Sequence, residues 1–321
     1  MPEPAASIGA AVEAGDAGLS PAVRRLLPAI GGAGVLDRLA ALSGSDFTSV
    51  MLEVVKRRAA GQTPASVLRR YRTDRFVRPG EVSWWSLQQT AGSLLRGLPG
   101  DVEVLNLAPL VPLGTHSALA TVSQDKVVTA VRACEAAADP TNGLALEAAQ
   151  RRSEDRQATV RLAAVQRVVR AQQTGGAGRF AHFTLLGYVT AGRDTGSHRF
   201  ERQALAEQLG WAAAALTRAG LPGVEVALTP LSEPGERVAG LLAGDLAPAP
   251  CQVVIDPARE SGRGYYTELC FKINAMIDGE PAEVGDGGFT DWTRQLVASG
   301  KERLLISGLG IDRIAAFTPA S

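Results

Sequence analysis

Arg161-Leu162-Ala163-Ala164-Val165-Gln166-Arg167-Val168-Val169-Arg170-Ala171-Gln172 runs into Gln173-Thr174-Gly175-Gly176-Ala177-Gly178 and then Arg179-Phe180-Ala181-His182-Phe183. β-branched and apolar residues fill 160–172 and return over 182–190, while the segment between them is too glycine-rich to be rigid by itself. The pattern predicts two antiparallel strands joined by a flexible lid over 173–178. An arginine ending one strand and an aromatic opening the next can hold a nucleotide from two sides, Arg170 on phosphate oxygens and Phe183 against the base. Taken alone the pair is weak, because a strand arginine is usually a solvated face residue and a phenylalanine usually core.

Working outward, 200–219 reads as a helix, and 224–228, 251–255 and 267–276 as strands. Upstream, Asp139-Pro140-Thr141-Asn142-Gly143 makes a turn before a helical 144–152. The stretch 84–98 reads as an amphipathic helix closed by Pro99-Gly100, followed by a short strand, Val102 to Leu107, that stops before Pro109. Helical periodicity occupies 21–72 and is punctuated by Arg78-Pro79-Gly80. These elements predict an α+β fold, an antiparallel sheet flanked by helices, with a helical N-terminal region at 1–80 and the main domain at 81–321.

Composition narrows the function. Lysine plus arginine and aspartate plus glutamate both number 33, so no whole-molecule field steers nucleic acid toward the chain, and any basic footprint is local. The local candidate is Arg69, Arg70, Arg72, Arg75 and Arg78 with Tyr71 and Phe76, for which a solvated helix end is the simpler reading. There is no apolar run of membrane-spanning length, and 1–14 lacks the pattern of a secretory signal. Three separated cysteines, Cys134, Cys251 and Cys270, support neither a disulfide framework nor a zinc site, and a cytoplasmic setting is expected.

Near the end of the sequence, Gly308-Leu309-Gly310-Ile311-Asp312-Arg313 precedes an apolar run. Glycines let backbone approach a ligand closely, and an arginine opening a helix adds a fixed cation that suits polyphosphate. A hairpin carrying Arg and Phe followed by such a turn resembles the core of class II aminoacyl-tRNA synthetases, closest to the histidyl-tRNA synthetase family. Residues 161–192 resemble that family's motif 2, with Arg170 and Phe183 on its arginine and adenine-stacking phenylalanine, and 308–313 resemble motif 3, with Arg313 on its arginine. Arg263-Gly264-Tyr265-Tyr266-Thr267 resembles the family's Arg-Gly-Leu-Asp-Tyr-Tyr-Thr signature, and Gly287-Gly288-Phe289-Thr290-Asp291 its Gly-Gly-Arg-Tyr-Asp. Leu94 to Pro109 resembles motif 1, which builds the family's dimer interface, so the resemblance implies a homodimer with Trp84 and Trp85 as anchors.

The departures bear on function as much as the matches. Gln172 stands in place of the motif 2 glutamate, and Lys272 in place of an acidic metal ligand, a substitution that repels magnesium. Leu185 and Val189 replace a glutamine and a glutamate that hold histidine, and 139–143 replaces Arg-Pro-Glu-Gly-Thr, so histidine is not the expected substrate. The signature arginine is displaced, with Arg263 or Arg259 as its counterpart. The sequence ends just after the motif 3 helix begins, so no anticodon-binding domain is expected.

The resemblance therefore implies a synthetase-like paralogue with an ATP pocket, activating a different amino acid or other carboxylate as an acyl-adenylate rather than charging tRNA. Arg170 and Arg313 are its expected catalytic cations. Arg170, Gln172, Arg179, Phe183 and Arg313 would hold ATP, and His182, Arg263, Tyr265 and Tyr266 the substrate; no metal ligand is assigned. Two further readings are a catalytically inactive regulatory or ligand-sensing subunit docked on a partner enzyme, similar to the regulatory subunit of ATP phosphoribosyltransferase, and an RNA-binding relic.

Overall fold

The computed structural model describes residues 19–172, 181–260 and 262–317. The chain divides into two compact units, the described residues 19–67 with 131–133 and the remainder. In the first unit the helices are α1 (Pro21–Leu26), α2 (Gly34–Ala40), α3 (Gly44–Ala60) and the start of α4 (Pro64–Thr73). Ser20 and Ser43 cap α1 and α3 by accepting the N–H of Val23 and of Asp46. Among the described residues of this unit only Leu27 is buried, and the apolar residues whose period predicts α3, Val50, Val54 and Val55, are exposed.

The second unit contains α5 (Trp84–Leu95), β1 (Glu103–Val104), β2 (Leu110–Pro112), α6 (Thr115–Leu119), β3 (Thr129–Ala130), β4 (Cys134–Ala136), α7 (Pro140–Glu154), β5 (Val160–Val169), β6 (His182–Arg193), α8 (Arg199–Arg218), β7 (Glu225–Pro230), α9 (Glu233–Asp245), β8 (Gln252–Ile255), β9 (Leu269–Ile277), β10 (Glu280–Thr290), α10 (Trp292–Leu296), β11 (Glu302–Gly310) and α11 (Ile311–Phe317). Eight strands form one sheet in the order β1-β5-β6-β11-β10-β9-β7-β8. Its six inner strands are antiparallel, as the hairpin requires, but both edge pairs, β1 with β5 and β7 with β8, are parallel. The sheet is mixed where a purely antiparallel one is expected, because each edge strand is reached by a helical crossover rather than a hairpin. A small sheet, β2-β4-β3, lies apart from it.

Alternation along the strands sends successive side chains to opposite faces. On one face Leu186, Tyr188, Phe271, Ile273, Leu305 and Leu309 pack with Leu94 of α5, Leu205, Leu209 and Leu216 of α8, Leu242 of α9 and Ile314 of α11. On the other, Leu162, Ala164, Val189, Cys270, Leu304 and Ile306 pack with Leu144 and Ala148 of α7 and with Trp292 of α10. On this second face Lys272, Asp286 and Gly308 keep part of their surface exposed, and the candidate site lies there.

Candidate functional site

Register across the sheet places Lys272 beside Asp286, Asp286 beside Gly308, Gly308 beside Gly187 and Gly187 beside Ala164. The two glycines in this row have different surroundings. A Cβ on Gly187 would lie 2.9 Å from Cγ of Pro140, so the start of α7 rests on that glycine. A Cβ on Gly308 would meet nothing closer than the carbonyl of Leu186 at 3.8 Å, so Gly308 is a bare patch of floor. A bulge between Glu283 and Gly285 sets the rest: Glu283 pairs with Asn274, Gly285 with Ile273 and Asp286 with Lys272. The extra residue reverses the alternation, so Glu283 and Asp286 both face the open side, along with Lys272.

Arg170 forms one wall. Its Nε donates to the carbonyl of Ala138 at 2.9 Å and its Nη2 to Oδ2 of Asp139 at 3.1 Å, and the guanidinium lies 5.1 Å from the centre of the Phe183 ring. The other oxygen of Asp139 caps α7, accepting from the backbone and hydroxyl of Thr141 at 2.9 and 2.7 Å. Asp139 thus fixes a helix and an arginine with one carboxylate. The two elements expected to grip a nucleotide are in contact.

Opposite, the buried guanidinium of Arg259 donates to the carbonyl of Phe271 at 2.8 Å, lies 3.4 Å from Oδ2 of Asp286, and sits 5.7 Å from the centre of the Tyr266 ring. The Tyr266 hydroxyl donates to the same Asp286 oxygen at 3.4 Å. Tyr265 packs on Tyr266 and on Trp292, with ring centres 4.5 and 5.6 Å away. The Asp286 side chain keeps 41% of its surface open to the cleft, yet the protein around it and the charge of Asp139 push its carboxyl up to about 6, with Arg259 and Arg170 opposing in part. Burial, then the charge of Asp286, pushes the hydroxyls of Tyr265 and Tyr266 well above the usual range, so both act as neutral hydrogen-bond groups.

Lys272 pairs with Glu283 at 3.0 Å. Arg313 donates to the carbonyl of Glu283, and Gly310, three residues before it, pairs with Leu185 of β6. Arg313 and Phe183 therefore approach the same end of the sheet. Among the described residues no group of three or more histidine, cysteine, aspartate or glutamate side chains could hold a metal ion.

Several expected site residues fall elsewhere. His182, expected to meet the substrate, alternates with Phe183 and so points to the opposite face, where its ring accepts from Arg167 Nε at 3.0 Å and meets the carbonyl of Arg78 at 2.6 Å. Arg263 is exposed and donates to the carbonyl of Arg259, whereas Arg259, weighed in the sequence only as its alternative, is the arginine in the cleft. Gln172 is the last described residue before the connection, and Arg179 and the expected lid 173–178 lie outside the described residues. In the arginine-rich segment, Arg70 pairs with Asp74 at 3.2 Å, and Arg75 stacks on Phe76 and donates to the carbonyl of Ala171. Asp286 is not visible in the sequence because an aspartate among glycines reads as a turn, and the signal that could have found it is its place directly before the Gly-Gly signature.

No family model and no curated protein matches the chain. Solved structures do. An ATP phosphoribosyltransferase regulatory subunit/histidyl-tRNA synthetase from Bacillus halodurans C is similar with a TM-score of 0.60 at 16% identity, over 76% of this chain and 83% of that one. A histidine–tRNA ligase subunit from Alicyclobacillus acidocaldarius gives 0.56 at 13% identity, over 75% and 95%. Apo histidyl-tRNA synthetase from S. aureus gives 0.55 at 12% identity over 73% of this chain and 64% of that one, so this chain spans under two-thirds of that enzyme. At such identities the likeness establishes the fold, which is the class II synthetase-like fold that the hairpin and the turn at 308–313 lead one to expect. No helix among the described residues is long and apolar enough to cross a membrane.

Proposed function

We propose that the chain binds ATP over Gly308, between Arg170 and Arg313, and uses it to activate the carboxyl group of a small molecule other than histidine. The observation that carries this is the contact of Arg170 with Phe183 beside an uncovered glycine floor, which offers a cation, an aromatic face and room for a ligand together. A carboxylate oxygen of the substrate would attack the α-phosphorus, forming an acyl–phosphate bond as the bond to pyrophosphate breaks. Charge developing on the phosphate oxygens is met by Arg170 and Arg313, and no protein nucleophile is needed. An amino acid suits the cleft best, since Asp286 and Asp139 supply carboxylates for its ammonium group. Leu185 and Val189 give an imidazole no partner. Lys272, already paired with Glu283, can meet phosphate but cannot ligate magnesium.

Calorimetric titration with ATP, with and without magnesium, tests this reading beside an Arg170→Ala, Arg313→Ala double variant. Binding that depends little on magnesium and is lost in the double variant is expected. No binding by the unaltered protein under either condition overturns it.

The Lys272–Glu283 pair also favours a second reading, a ligand-sensing subunit that binds without turnover and docks on a partner enzyme. Pyrophosphate exchange into ATP across a panel of amino acids separates the two: exchange marks the enzyme, and binding without exchange the sensor. RNA binding through the arginine-rich segment ranks third, because two of its five guanidinium groups already have protein partners. For either leading reading we propose a cytoplasmic homodimer paired through α5.

A further inference from the structure

Behind Arg170 lies a buried histidine that the proposed chemistry does not use. His116, on α6, is 1% exposed, and its partner Glu135, on β4, is fully buried. The backbone N–H of Ala138 donates to His116 Nε2 at 3.0 Å, so that nitrogen is the acceptor and the ring proton sits on Nδ1. Nδ1 in turn donates to Glu135 Oε1 at 2.5 Å. Glu135 also accepts from the N–H groups of His116 and Gly114 at 2.9 and 3.1 Å and from Gln124 Nε2 at 3.2 Å. Burial opposes its charge, but these backbone and ring donors outweigh it and hold the carboxyl below the usual range.

The peptide that His116 grips is the one that docks Arg170. Ala138 presents its N–H to His116 and its carbonyl to Arg170 Nε, and the next residue, Asp139, accepts from Arg170 Nη2. Residues 136 and 137 are tied to neighbouring strands by hydrogen bonds from their N–H groups to the carbonyls of Val128 and Pro109. Ala138 lies past that support, one residue before the cap of α7, and His116 supplies the partner its N–H requires.

We propose that His116, fixed in one tautomer by Glu135, is a positioning residue that sets the orientation of Arg170 through the Ala138–Asp139 peptide. The effect on ligand rests on the reading of Arg170 as the nucleotide clamp, whereas the effect on Arg170 itself does not. Glutamine can reach with its amide oxygen where Nε2 of histidine accepts, so His116→Gln keeps the grip and His116→Ala removes it.

The first measurement follows the Arg170 Nε–H resonance in protein labelled with nitrogen-15, assigned by its disappearance in Arg170→Lys. It is expected to be sharp and slow to exchange with solvent in the unaltered protein and in His116→Gln, and to broaden and exchange at least tenfold faster in His116→Ala. The second is a double-variant cycle on ATP affinity. His116→Ala is expected to weaken ATP about tenfold, the loss of one hydrogen bond, and to cost less than twofold when Arg170→Ala is already present. An unchanged Arg170 resonance in His116→Ala overturns the inference, as does an equal loss of ATP affinity in both backgrounds. A shifted resonance in a protein that binds no ATP upholds the positioning role and overturns the nucleotide reading instead. Should His116→Ala not fold, Glu135→Gln replaces it in both measurements, since it removes the charge that fixes the tautomer while keeping the shape.

Discussion

Asp286 is held in a state that its fold would not choose. An unfolded aspartate titrates near 4 and the folded one near 6, so between those values the native state binds more protons than the unfolded chain. Stability therefore falls as pH rises through that window and stays lower above it. Allowing for screening of a side chain two-fifths open to solvent, the loss is about 1 kcal/mol. Asp286→Asn is expected to be more stable than the unaltered protein by that amount at pH 7, with the difference vanishing below about pH 4. Urea unfolding across pH 4 to 8 reads this directly, and equal stabilities at pH 7 would refute it. A residue that costs stability at neutral pH and opens onto a cleft fits a ligand role, since stability and function commonly oppose each other there. In the sequence, chemistry and position bring out Arg170 and Phe183, and the resemblance to the synthetase signature adds Tyr265 and Tyr266. It hides Asp286 and leaves Arg259 as one of two candidates, because the face Asp286 occupies is set by a one-residue bulge and the burial of Arg259 by the path of an irregular segment.

The two glycines of the floor sit in different surroundings. Gly308→Ala adds a methyl group into open space, and its stability is expected to change by less than about 0.5 kcal/mol while ATP binding weakens at least tenfold. Gly187→Ala forces the methyl group against Pro140 and Leu144 and is expected to cost about 1–3 kcal/mol. Thermal unfolding and calorimetry on both variants check the contrast, and a Gly308→Ala protein that binds ATP normally would show that the ligand lies elsewhere.

Elements are placed by fewer interactions than their number implies. Near the end of α7, Arg152 is fully buried and meets both oxygens of Glu302 on β11, through Nε and Nη2, each at 2.8 Å, while Nη1 reaches the carbonyl of Ala158. Arg152→Ala leaves the Glu302 carboxylate buried without its guanidinium, at an expected cost of about 3–5 kcal/mol. A shift in the urea midpoint of that size is the check, and a cost under about 1 kcal/mol would mean water replaces the arginine. The hairpin of β5 and β6 is legible because β-branched and apolar residues fill both arms around a glycine-rich connection, and its pairing runs without a break from Val160 with Ala191 to Val169 with His182. β10 was not legible, since Gly285, Asp286, Gly287 and Gly288 lower strand propensity and only the neighbours β9 and β11 impose the extended form. The strand expected over 102–107 shortens to Glu103–Val104, because it pairs on one side only and Pro109 cannot donate to a ladder.

Apolar surface is left exposed around the start of α5, where the homodimer proposed above would pair. Trp84 and Trp85 are 60% and 76% exposed at the start of α5, with their rings edge to face and their centres 4.7 Å apart. Large aromatics so open to water are uncommon on a protein that stays alone, and tryptophan is enriched at the centres of interfaces. Val104 on the edge strand β1, and Leu110 and Leu113 beyond it, are also exposed. Among the described residues β1 pairs only with β5, so its outer edge is a strand edge that another chain could meet. In a two-fold arrangement each copy would present the same tryptophan pair and the same strand edge to the other. Sedimentation equilibrium at micromolar concentration is expected to give twice the chain mass, and a Trp84→Ser, Trp85→Ser variant the mass of one chain with unchanged helix content. The variant should keep its cleft, because α5 packs on the covered face of the sheet and Arg170, Asp286 and Gly308 lie on the open one. A dimer that survives the double substitution would move the interface away from α5, and a monomer in the unaltered protein would leave the exposed tryptophans for a different partner.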